Sequence, residues 1–63
     1  MRSPREQAAA TELLRKFEEA VKHKMVGDMR YASWFIEDFD ELTEVFPKEL
    51  RDKLRRGMFL ILR

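Results

Sequence analysis

Pro47-Lys48-Glu49-Leu50-Arg51-Asp52-Lys53-Leu54-Arg55-Arg56-Gly57-Met58-Phe59-Leu60-Ile61-Leu62 is the stretch whose reading decides the fold. Pro47 keeps the residue before it out of helical geometry and then opens a helix well, because a first-turn N–H has no intrahelical partner to lose. Leu50, Leu54, Met58 and Ile61 follow at helical steps along one face, with Gly57 inside the same stripe. Glu49–Lys53 and Asp52–Arg56 are spaced for ion pairs on the outside. Gly57 admits two continuations. It can stop the helix and leave residues 58–62 as a short strand, or it can stay inside the helix and let a neighbouring helix approach closely. A lone strand has nothing in this chain to pair with, so the continuous helix is the reading.

That helix creates a difficulty. Met58, Phe59, Leu60, Ile61 and Leu62 are consecutive, and one helical face hides only some of them. Met58 and Ile61 belong to the stripe that begins at Leu50. Phe59, Leu60 and Leu62 then point elsewhere, and in water they would make an adhesive end. The pattern predicts that residues 58–62 form a contact between chains, with a second copy or with another protein.

Two helices precede this one. Ser3-Pro4-Arg5-Glu6 is a start signal: Ser3 is placed to cap, Pro4 sits in the first turn, and Glu6 completes a capping box. Ala10, Leu13, Leu14, Phe17, Ala20, Val21 and Met25 then share a face. Glu12–Lys16 and Glu18–Lys22 are outward pairs, and Gly27 ends the helix in a left-handed turn. Asp28 is the expected cap of the second helix. Tyr31, Trp34, Phe35, Phe39, Leu42, Val45 and Phe46 form its inner stripe, which predicts a helix continuing to Phe46 with Phe35, Phe39 and Leu42 at the centre of the core. Met29 and Ile36 fall outside that stripe.

Sixty-three residues make a single domain, residues 1–63. A chain this short buries only about 60% of the surface its unfolded form exposes, so such domains are commonly reinforced by a disulfide, a metal or a second copy. Cysteine is absent and His23 is the single histidine, which removes disulfides and leaves a zinc-type site without ligands. Association remains. The expectation is an all-α, three-helix unit, a helical hairpin plus a C-terminal helix, completed by homodimerisation.

The acidic cluster Glu37, Asp38, Asp40, Glu41 and Glu44 invites a metal reading. Asp38 and Asp40 echo the start of a calcium loop, yet the obligatory glycine and closing glutamate are missing. Glu37, Glu41 and Glu44 share a face without the Glu-x-x-His that carboxylate metal sites on helices use. His23 has no nucleophile or carboxylate at a useful spacing along the sequence. No nucleophile elbow and no phosphate-cradling glycine loop is present. The chain is expected not to be an enzyme and to hold no metal or cofactor.

Formal net charge is +1, but residues 32–46 carry five acids and no base, while residues 47–63 carry six bases and two acids. Lys48, Arg51 and Arg55 fall on one side of the third helix with Arg56 beside them. Such a face can neutralise phosphates, with Phe59 stacking on a base. The alternative use is to lie against Glu37, Glu41 and Glu44, and the near-neutral whole together with the interrupting Glu49 and Asp52 favours it. The composition therefore predicts a non-enzymatic binding or regulatory protein that works by protein–protein contact as a homodimer. A small DNA- or RNA-binding regulator using Lys48, Arg51, Arg55 and Arg56 is the alternative. No leader and no 18-residue apolar span is visible, so a cytoplasmic location is expected and contact with a membrane surface is not.

Overall fold

The computed structural model describes residues 3–63 and gives three helices among them: α1 Pro4–Met25, α2 Arg30–Leu42 and α3 Lys48–Leu62. The all-α three-helix unit is what forms. Ser3 Oγ accepts the Glu6 N–H at 3.2 Å, so the start of α1 is capped as its sequence requires. At the other end Asp28 N–H reaches the His23 carbonyl at 2.8 Å and Gly27 N–H reaches Lys24 at 3.0 Å. This pair of bonds is the Schellman closure, and it needs a left-handed residue: Gly27 has φ +88°. Asp28 Oδ1 then accepts the Arg30 N–H at 3.0 Å, but the cap position expected of Asp28 is held by Met29, which makes no side-chain capping bond.

Phe17 meets Phe35 at 5.6 Å between ring centroids and His23 stacks on Tyr31 at 3.7 Å, so α2 runs back antiparallel to α1. α3 lies along the pair. It begins near Leu13, meets Phe39 through Phe59, and ends where Lys24 Nζ donates to the Ile61 carbonyl at 2.7 Å. Its direction is parallel to α1. The Lys24 ammonium satisfies one of the last carbonyls of α3, where a positive charge also suits the helix dipole.

The core is built from Leu13, Ala20, Ala32, Phe35, Phe39, Phe46, Met58 and Leu62. Phe39 is its centre at 1% exposure, with Phe35 and Phe59 edge-on to it at 5.9 and 5.2 Å. Leu42 is packed against this group without being fully buried. Trp34, expected in the inner stripe, is 51% exposed. Ala32, outside the expected stripe, is buried in the core with Phe35 and Phe39.

α2 stops at Leu42, four residues before the end that its apolar pattern predicts. Thr43 is fully buried, and its hydroxyl donates to the Phe39 carbonyl at 2.8 Å. Phe46 N–H closes a turn onto the Thr43 carbonyl at 3.0 Å. Pro47 excludes helical geometry at residue 46. The chain therefore leaves the helix early and folds Phe46 back under the core, where a continuing helix would have carried it past the end of α1.

Candidate interaction surface

Gly57 lies inside α3, which runs unbroken through it to Leu62. The five apolar residues after the basic run are divided by the fold. Met58 and Leu62 are buried in the core of their own chain, Leu62 at 1% exposure. Phe59 is half-buried against Phe39. Leu60 and Ile61 stay outside, 69% and 52% exposed. The expectation that residues 58–62 form a contact between chains is thereby corrected for Met58, Phe59 and Leu62. Its error was to give α3 one neighbour. α3 touches both α1 and α2, so its buried arc centres on Met58 and Leu62, with Arg51, Arg55 and Phe59 turned towards α2. Leu50 and Ile61 become the rim facing the α1 side.

On that side an apolar groove of about 170 Å³ opens between α1 and α3, lined by Ala10, Leu13, Leu14, Leu50, Leu54 and Met58. Leu14 is 58% exposed and Leu50 39%. Met25, 81% exposed, follows Leu14 on the same face of α1 at eleven-residue spacing, just as Ile61 follows Leu50 on α3. The two stripes border a strip that none of the described residues covers, and the exposed Gly57 falls on the α3 side of it by helical spacing.

The basic residues are divided as well. Arg55 Nη2 donates to Asp40 Oδ1, and Arg51 Nη2 lies 3.8 Å from the same oxygen. The Arg55 guanidinium also sits over the rings of Phe39 and Phe59, at 5.4 and 5.9 Å. Arg51 Nε is buried without a hydrogen-bond partner. Their acidic complement is Asp40, where the pattern pointed to Glu37, Glu41 and Glu44. Lys48 and Arg56 remain exposed, and the expected Glu49–Lys53 and Asp52–Arg56 pairs are not among the ion pairs formed by the described residues.

A second depression, about 280 Å³, lies between α1 and α2, bordered by Arg15, Lys16, Glu19, Tyr31, Trp34 and Asp38. Arg15 is bound to Glu12 at 2.7 Å, which holds the Glu12 carboxyl below its usual range. Beside it His23 stands 3.6 Å from Glu19 and 3.7 Å from Asp28. The reading that His23 lacks a carboxylate at useful spacing is corrected: Glu19 is four residues before it on α1, and Asp28 arrives through the turn at Gly27. Asp28 itself is held down to about 2, first by the side-chain bond from Arg30 and then by the Arg30 N–H. Arg15, His23 and Asp28 are thus each set beside an oppositely charged or polar neighbour.

Among the described residues no three histidine, aspartate or glutamate side chains converge to hold a metal ion, and no helix is long and apolar enough to cross a membrane. Compared with protein-family models, curated proteins and solved structures, the chain matches none.

Proposed function

We propose that this chain is a non-enzymatic binding or regulatory protein of the cytoplasm that acts by contact, through the apolar strip between α1 and α3. The exposure of Leu14, Met25, Leu50 and Ile61 on one side of a small domain carries the reading. At about 1.5–3 kcal/mol per fully buried side chain, covering these exposed parts is worth roughly 3–7 kcal/mol per chain. Two copies meeting face to face contribute twice that, against an association cost of about 4 kcal/mol or more. The upper part of that range reaches micromolar self-association. A second copy is therefore the first candidate occupant and another protein the next.

The nucleic-acid alternative draws on fewer free cations, since Arg51 and Arg55 are engaged by Asp40. What is left to it is Lys48 and Arg56, with Lys53 and Arg63 nearby. Phosphate binding by these residues would carry a steep salt slope, while an apolar contact is nearly indifferent to salt.

The experiment is sedimentation equilibrium across the micromolar range, with a mobility-shift salt series on duplex DNA and structured RNA. Both are run on the wild type and on a Leu14→Glu, Ile61→Glu double variant. Both positions are exposed, so the variant keeps its helical content. The expected result is salt-insensitive association in the wild type, lost in the variant. Unchanged association in the variant, or binding only to nucleic acid with a steep salt slope, overturns the reading.

A further inference from the structure

We infer that α3 crosses the α3 of a second copy at Gly57, antiparallel and about a two-fold axis. The inference rests on the contact reading just given and specifies its partner and geometry. Glycine in a helix interior is disfavoured relative to alanine, because it loses more backbone freedom on folding. Gly27 has a conformational reason to be glycine and Gly57 has none: its φ is not positive, and it stands inside regular α3. Packing within the chain supplies no reason either. A Cβ built at Gly57 meets nothing within 4 Å. The lack of a side chain is useful only if a backbone from outside the chain comes too near to admit one.

The surroundings of Gly57 fit that use. It is exposed on α3, one turn from Leu54 and Ile61 and two turns from Leu50 along the same side of the helix. The exposed parts of Leu14, Met25, Leu50 and Ile61 amount to roughly 400 Å², within the ~300–600 Å² of a typical monomer's largest apolar patch, which is often functional. A stable interface takes about 800 Å² from each partner. In homodimers about 65% of it is apolar, or roughly 500 Å² per chain. This strip supplies most of that from one chain, and a two-fold operation supplies the matching strip from the other.

A second copy also accounts for the end of α3. In an antiparallel crossing centred on residue 57, each residue meets the one equally far on the other side of the centre. Leu54 falls opposite Leu60 of the partner subunit, and Lys53 falls opposite Ile61 of the partner subunit. Leu60 and Ile61, the most exposed residues of the apolar run, are covered in this way. The Lys53 stem lies along apolar surface while its ammonium stays in water. No acid is brought against an acid.

The test uses the full chain. Gly57→Ala raises the unfolding midpoint of dilute, monomeric protein by about 4–8 °C, because alanine is the better helix former. It also weakens dimerisation by roughly 10-fold or more, because a methyl group now stands at the crossing. Opposite signs in one variant are the expected signature. The natural chain has no cysteine, so single introduced thiols report cleanly. Gly57→Cys gives a disulfide-linked dimer under mild oxidation, since a crossing there brings the two Cα atoms within the ~4.4–6.8 Å that a disulfide spans. Lys53→Cys does not, its two copies lying about 12 Å apart along the helices. Gly57→Ala that dimerises as well as wild type, or cross-linking at Lys53→Cys in preference to Gly57→Cys, overturns the crossing. If Leu14→Glu, Ile61→Glu still abolishes association in that case, the contact face stands and only its geometry fails. A wild-type chain that stays monomeric while this face captures another protein refutes the second copy and leaves the face.

Discussion

Removing the ring of Phe39 tests the core directly. Phe39 is 1% exposed, and it touches an element on each side: Phe35 within α2 and Phe59 from α3, at 5.9 and 5.2 Å. The Arg55 guanidinium covers it from outside at 5.4 Å. Phe39→Ala therefore empties the place where α2 meets α3, and the cavity is bounded by helices too long to collapse into it. Buried Phe→Ala changes cost about 3–5 kcal/mol. A domain of this size holds roughly 3–9 kcal/mol in total. The variant should thus be largely unfolded at 25 °C, or melt at least about 12 °C below wild type. Phe39→Leu, which keeps most of the volume, should lose less than about 1.5 kcal/mol. The assay is urea and thermal unfolding followed by far-ultraviolet circular dichroism, at a concentration low enough to exclude association. A Phe39→Ala midpoint within about 4 °C of wild type refutes the placement of Phe39 at the centre.

Two further outcomes follow from the turn regions. Thr43→Val keeps the shape of a fully buried side chain but removes the hydroxyl bond to the Phe39 carbonyl, which still receives the Thr43 N–H at 3.0 Å. The expected loss is about 0.5–1.5 kcal/mol by urea unfolding, and a stabilised variant contradicts the cap. Asp28 has its folded pKa lowered from 3.8 to about 2 by Arg30, so it contributes stability above pH 4 that is lost as pH falls through about 2. Asp28→Asn should flatten the acid side of the stability profile between those values, and a profile with unchanged slope there counts against the Arg30 bond.

Much of the fold was legible because local signals agreed with one another. Ser3-Pro4, Gly27 and Pro47 mark the boundaries, and helical spacing fills the intervals between them. Boundaries failed where two signals competed. The apolar spacing of Leu42, Val45 and Phe46 continues a helix, while Pro47 forbids one at residue 46, and the helix ends at Leu42 with Thr43 buried at its C-cap. Facing failed for a different reason. Periodicity names the apolar side of a helix relative to one neighbour, and α3 has two. Arg51 and Arg55 do meet the acidic second helix, but through Asp40 in place of Glu37, Glu41 and Glu44. Phe59 and Leu62 look surplus until the second neighbour is counted. Of the two carboxylates that flank His23, Glu19 stood at legible i,i+4 spacing and was overlooked, while Asp28 was hidden because it depends on the turn at Gly27.

The same correction changes how the end of α3 can be used. An apolar tail held only for a partner can be removed while the fold survives. Here Met58 and Leu62 contribute two of the eight buried core residues, and Phe59 packs on the ring at its centre. Loss of residues 58–63 would remove both core and contact, so a truncated chain that fails to associate says nothing about which was lost. The separable residues are those on the outer edge of the helix: Gly57, Leu60 and Ile61, and Leu50 one turn and more before them. Each is exposed, and none is needed to fill the interior. Folding sets the inner half of α3 and leaves the outer half chemically free. That half nevertheless carries leucine, isoleucine and a bare glycine where lysine or glutamate would fold equally well. Stability of the single chain does not account for this choice, whereas the proposed contact would.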